Sequence, residues 1–158
     1  MSFLKGTVVS LVLFTFSHPL FADSLQYEDV KATPTFALAK MGAVYGSFKN
    51  VSDTPLLITG LQVDAEIAAS VELHESYIKD DMASMKQLNL PFTLAPQQEL
   101  VLRRGGKHIM LIGLQQPLTS GMQFQLTFSL QDQEAITVPV VVSEAVQQDS
   151  AEHKHHHH

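Results

Sequence analysis

The chain has 158 residues, of which 45% are hydrophobic and 16% charged, and it carries a net charge of −6 with no cysteine. Ten basic residues against sixteen acidic ones, with no basic stripe, exclude an electrostatic nucleic-acid surface. The lack of cysteine excludes disulfides, cysteine-built structural zinc sites and any copper centre that needs a thiolate.

The chain opens with a positive residue, Lys5, then an almost unbroken apolar run over residues 8–16. A short Ser17-His18-Pro19-Leu20-Phe21-Ala22 segment follows, then the acidic Asp23. That order is the layout of a secretory signal peptide over residues 1–22, with cleavage expected after Ala22. The apolar run is too short for a permanent membrane span, so no stable membrane insertion is expected after cleavage. No cysteine follows it to accept a lipid. The exported remainder suits a single domain over residues 23–145 with one core.

Residues 25–31 alternate weakly and read as a first edge strand. Strands are expected over 41–50 and 56–63, separated by a turn cluster at 50–55, and residues 64–69 have room for one helical turn. A strand over 71–78 leads to a hairpin tip at Lys79-Asp80-Asp81, and the chain returns as a strand over 85–90. Pro91 and Pro96 bracket a loop. Strands over 99–103 and 107–114 pair across Arg104-Gly105-Gly106. Residues 122–130 alternate most clearly, with Met122, Phe124, Leu126, Phe128 and Leu130 on one face and polar residues on the other. After a turn at Asp132-Gln133 comes the last strand, 135–142, in which Pro139 suits an edge. No segment keeps a helical period. The expectation is an all-β fold, a Greek-key β-sandwich of eight or nine strands.

Histidine is the informative residue. Eight are present, but one lies in the leader and five crowd the last six positions. Only His74 and His108 remain for the folded domain, and methionine lies near both. His108 and Met110 stand two apart on a strand, so imidazole and thioether project from the same face. Met85 follows His74 across the predicted hairpin, and Met82 lies nearer its tip. Thioether sulfur is soft and neutral and selects Cu(I), while imidazole binds copper in either oxidation state. Methionine does not titrate, so such a site loses less affinity in mild acid than an all-histidine one. Glu75 has the wrong strand parity to join His74; Glu72 has the right parity but can equally face solvent. Met41 and Met122 read as core filler.

Val71-Glu72-Leu73-His74-Glu75, Met85 and the run from Gly105-Gly106-Lys107-His108-Ile109-Met110 to Leu114 resemble the signature of the periplasmic copper chaperones called PCu(A)C. Residues 41–50 are similar to the early strand of that family, and the likeness spans residues 27–142. The resemblance implies a cupredoxin-like β-sandwich in the periplasm that binds one Cu(I) through His74, Met85, His108 and Met110. It also implies delivery of copper to the dinuclear centre of cytochrome c oxidase, with an oxidase subunit or a thioredoxin-like assembly protein as partner. Where many members carry methionine directly after the first histidine, this chain has Glu75-Ser76. That places more of the sulfur ligation on Met85, with Met82 as a substitute.

The tail, residues 146–158, is polar and ends in His153, Lys154, His155, His156, His157 and His158. It reads as a disordered second metal-collecting segment, suited to Cu(II) because it offers only nitrogen. The chain is expected to be a monomer and not an enzyme: two histidines provide no Ser/His/Asp set, and four protein ligands leave no open position for a substrate. A copper buffer used for tolerance and a metal-free structural sandwich are the alternatives.

Overall fold

The computed structural model describes residues 24–144; the expected leader and the histidine-rich tail lie outside the described residues. Ten strands follow in chain order: β1 Leu25–Ala32, β2 Met41–Asn50, β3 Leu56–Val63, β4 Ala68–Lys79, β5 Met82–Leu88, β6 Phe92–Leu94, β7 Glu99–Leu102, β8 Lys107–Leu114, β9 Gln123–Leu130 and β10 Ile136–Val142. They join in one hydrogen-bonded path, β5-β4-β8-β2-β1-β10-β9-β3-β6, with β7 paired to β2 off that path. The β2–β3, β3–β4, β5–β6, β6–β7 and β8–β9 connections each cross between the two halves of this path, whereas β1–β2, β4–β5 and β9–β10 are hydrogen-bonded neighbours.

Apolar residues on alternate positions close the two halves over one core. Phe124, Leu126, Phe128 and Leu130 of β9 are all buried, as the alternation there predicts, and Val138, Val140 and Val142 of β10 are fully so. Phe48 of β2 meets Phe128 of β9 with ring centroids 4.9 Å apart and tilted by 54°, which joins the layers directly. Asn50, fully buried at the end of β2, pins the edge of this core. Its side-chain amide donates to the carbonyls of Thr54 and Leu94 at 2.8 and 2.9 Å. Its oxygen accepts from the Ser52 backbone N–H and hydroxyl at 3.0 and 2.7 Å.

Three expectations change. β1 is not an edge: it pairs antiparallel with β2 through its length and parallel with β10 at Lys31 and Ala32. A bulge between Glu28 and Lys31, with Asp29 at φ 51°, turns it from one layer into the other. Gly46 faces that bulge, and a side chain there would stand 3.0 Å from the Glu28 carbonyl and the Val30 Cα. Pro139 lies in an inner strand, but β1 reaches β10 only at Val141 and Val142, so the missing N–H costs no ladder bond to β1. The loop between Pro91 and Pro96 contains a three-residue strand, β6, that caps β3.

Candidate metal centre

The site lies on the outward face of three adjacent strands, β5, β4 and β8. Leu73, Ile109 and Leu111 turn into the core and are almost fully buried. Alternation therefore sends His74, His108 and Met110 to the other face. The register places His74 directly opposite His108, and their ring centroids are 6.0 Å apart. This pairing joins residues from separate strands whose spacing in sequence says nothing of their register. Met110 stands opposite Glu72, diagonal to His74 on the same side as His108.

The β7–β8 turn fixes His108. Gly105, at φ 70°, takes the left-handed conformation the tight turn needs, and the Arg103 N–H donates to the Lys107 carbonyl at 2.8 Å. The turn presents the Gly106 carbonyl, which accepts from the Ser76 N–H at 3.0 Å and lies 3.1 Å from His108 Nδ1. Turn, β4 and the His108 ring are thus tied at one oxygen. Tyr45 of β2 flanks the ring at a centroid distance of 6.4 Å, and His108 keeps only 6% of its surface exposed.

His74 is held by Glu72, whose carboxylate oxygen is 2.8 Å from Nε2. Its other nitrogen, Nδ1, is buried and has no hydrogen-bond partner. Glu72, which the sequence left as a residue of suitable parity, therefore contacts the site histidine.

The two hairpin methionines separate cleanly. The tip turns through Asp80 and Asp81, both at positive φ (50° and 60°), as a two-residue hairpin turn requires. β5 then pairs with β4 so that Met85 stands opposite Ser76 and Met82 opposite Lys79. Met85 shares the face of Ser76 and His74, and is diagonal to His74 on the side away from His108. It is half exposed. Met82, the substitute the sequence offered, has the opposite parity and lies on the other face of the hairpin. Met41 is also reassigned: it is exposed, on the face shared by Ile112 and Met110, and is not core filler, whereas Met122 does pack against the core.

Behind the site, Glu75 stands opposite both Lys86 of β5 and Lys107 of β8. Each ammonium lies 3.1 Å from a different carboxylate oxygen. The hydrogen bonds from Lys86 and then Lys107 hold the Glu75 carboxyl below its ordinary value. This clasp binds the three site strands from the face opposite the histidines. Among the described residues no three His, Cys, Asp or Glu side chains gather as a metal group. The outward face carries the two imidazoles and the Glu72 carboxylate, with Met110 and Met85 placed on the same face by register.

A Greek-key sandwich with paired histidines and methionine on one outward face defines a cysteine-free member of the cupredoxin-like class. The chain matches the family model described as "Putative lipoprotein LpqE-like" over residues 25–142, and it belongs to the LpqE-like family. It is 33% identical over 121 residues to "Putative lipoprotein Lxx21020" of Leifsonia xyli subsp. xyli, covering 77% of this chain and 69% of that one. Among solved structures, CuI-DR1885 of Deinococcus radiodurans is 28% identical, with a TM-score of 0.57 and coverage of 79% of this chain and 83% of that one. The copper-bound PCuAC domain from PmoF2 is 16% identical, with a TM-score of 0.61 and coverage of 77% and 93%. That last likeness concerns the fold, which is the fold of the PCuAC domain.

Proposed function

We propose that this protein is a periplasmic copper chaperone that carries one Cu(I) at His74, Met85, His108 and Met110 and passes it to the dinuclear copper centre of cytochrome c oxidase. The observation that carries the reading is the strand register, which sets His74 against His108 with Met110 beside them on an outward face. Two neutral nitrogens and two thioethers suit a monovalent soft ion and do not suit magnesium, calcium or zinc. The unpartnered Nδ1 of His74 fits the same reading, because a buried acceptor lacks a donor there. Met85 closes the site from the neighbouring strand. Its exposure leaves it free to swing toward the ion and, later, to yield its place to a partner's ligand.

Transfer needs such a shallow site, since the acceptor must enter the coordination sphere before the donor lets go. The acceptor is an oxidase subunit or a thioredoxin-like assembly protein, and the terminal histidines, His153 and His155 to His158, form a separate nitrogen-only collecting segment with Cu(II) character. The test is competition against a Cu(I) chelator, using a chain shortened to residue 145 so that the tail does not contribute. M110A is expected to lose Cu(I) affinity by more than about tenfold, because a ligand is worth at least as much as the residue that orients one. Equal affinities for M110A and the parent would overturn the assignment. Oxidase assembly in a deletion strain separates delivery from a buffering role: normal assembly with reduced copper tolerance would favour the buffer.

A further inference from the structure

The two histidines are not held alike, and the difference determines which nitrogen each can offer. A neutral imidazole has one N–H and one lone pair, and the hydrogen bond at one nitrogen decides the state of the other. At His108 the partner of Nδ1 is the Gly106 carbonyl at 3.1 Å, which only accepts. Nδ1 must carry the proton, and Nε2 keeps the lone pair. At His74 the partner is the Glu72 carboxylate, 2.8 Å from Nε2. An ionised carboxylate also only accepts, so here Nε2 carries the proton and Nδ1 keeps the lone pair. That Nδ1 is the buried atom without a partner.

We propose that Glu72 is a positioning residue that holds His74 in the Nε2–H tautomer and so makes Nδ1 its metal-binding atom, opposite in sense to His108, which binds through Nε2. This rests on the Cu(I) reading of the site and names the donor atoms within it. Glu72 belongs to β4, two residues before His74 and on the same face, so strand geometry alone delivers the carboxylate to the ring. It stands opposite Met110 in the register, and one side chain therefore connects the orientation of the first histidine to the strand that bears the second. A carboxylate on the outer nitrogen also fixes the orientation of the ring.

Long-range proton–nitrogen NMR on the full chain with ring-labelled histidines tests this before any metal is added, with His74 and His108 assigned by their loss in H74Q and H108Q. The metal-free protein at pH 8 is expected to show His74 with a protonated Nε2 and His108 with a protonated Nδ1. Addition of Cu(I), which is diamagnetic, is expected to shift Nδ1 of His74 and Nε2 of His108. E72A is expected to release His74 into a mixture of tautomers and weaken Cu(I) binding by about ten- to a hundredfold. E72Q, which keeps an accepting oxygen, is expected to restore the tautomer and most of the affinity. A merely structural role would lower the Tm of both variants and leave the ring pattern unchanged, and that result overturns the proposal. So does a protonated Nδ1 on His74 in the metal-free protein, or a copper-induced shift at its Nε2. Correct tautomers with no copper response at either ring would instead overturn the Cu(I) reading on which the proposal depends.

Discussion

Asn50 and His108 are the buried polar residues among the described ones, and they use their polar atoms in opposite ways. Asn50 meets its whole hydrogen-bonding capacity inside the protein, with two donors on carbonyls and one oxygen accepting twice. His108 commits one nitrogen to the Gly106 carbonyl, and its other nitrogen, which is not fully buried, has no protein partner among the described residues. His74, across the ladder, repeats the pattern with Glu72 on one nitrogen and nothing on the second. A buried polar group costs free energy unless it is paired, so a fold keeps an incompletely paired one only where something else makes use of it. Asn50 is cement for the end of β2; the histidines are held half-satisfied, ready for a further partner.

The largest expected effect breaks the cement. N50A strands the buried carbonyl of Leu94, takes one of two side-chain donors from the Thr54 carbonyl, which the Ser52 hydroxyl still reaches at 2.9 Å, and removes the acceptor that organises Ser52. The unsatisfied Leu94 carbonyl costs about 1–3 kcal/mol and the other lost hydrogen bonds about 1 kcal/mol each, so a loss of about 2–5 kcal/mol in urea-induced unfolding is expected. The folded fraction should bind Cu(I) as the parent does. Weakened binding at full folding would show that the two kinds of buried polar residue are not separable.

H108A is the mirror case. It removes one hydrogen bond and a ring flanked by Tyr45, so unfolding should change by no more than about 1.5 kcal/mol. Cu(I) affinity should fall by about a hundredfold or more, equivalent to about 2.7 kcal/mol. A large stability loss with retained affinity would make His108 another Asn50.

How far the sequence foretold this contrast depends on the range of the interaction involved. Strands such as β2, β3 and β8 were legible because alternation and flanking turn residues are local signals. β6 was hidden because three residues between prolines carry no period. His74 and His108 were read as ligands from residue type, spacing and resemblance, but the register that sets them opposite each other is a long-range property of the ladder. The role of Asn50 had no sequence signal and Glu72 offered only its strand parity: a turn-forming asparagine and a strand glutamate are ordinarily exposed, and only the packed structure shows their partners within hydrogen-bond reach. Met41 was misread for a related reason, because its face is decided by pairing with Ile112 of a distant strand.

The next effect sharpens the contrast between the faces of β5. Met85 and Met82 are three residues apart, so strand parity puts them on opposite sides of the sheet. M85A is expected to weaken Cu(I) binding by about tenfold, or about 1.4 kcal/mol, in the same competition assay. The loss is smaller than for His108 because Met85 lies diagonal to His74 and two strands from Met110, at the open side of the site. M82A should leave affinity unchanged. A reversed order would mean that the hairpin shifts register by one residue when copper binds, since a one-residue slip exchanges the two faces.

The smallest effect concerns the clasp behind the site. Glu75 is bonded to Lys86 and Lys107 at 3.1 Å each, but all three side chains are in contact with solvent, and exposed ion pairs contribute little. Because these bonds lower the carboxyl from its ordinary value of 4.5, the folded state binds that proton less readily than the unfolded chain does. The stabilisation is therefore fully present above the unfolded carboxyl range and is lost as pH falls through the lower folded value. E75Q should unfold slightly more easily than the parent at neutral pH, with the difference shrinking below about pH 4.5 and closing once both carboxyl states are protonated. Raised salt should narrow it in the same way. Its Cu(I) affinity should match the parent, because the clasp lies on the face turned away from the imidazoles. If E75Q weakened copper binding more than it weakened the fold, the clasp would be setting the spacing of β5, β4 and β8, and the two sides of the sheet would be coupled through strand separation.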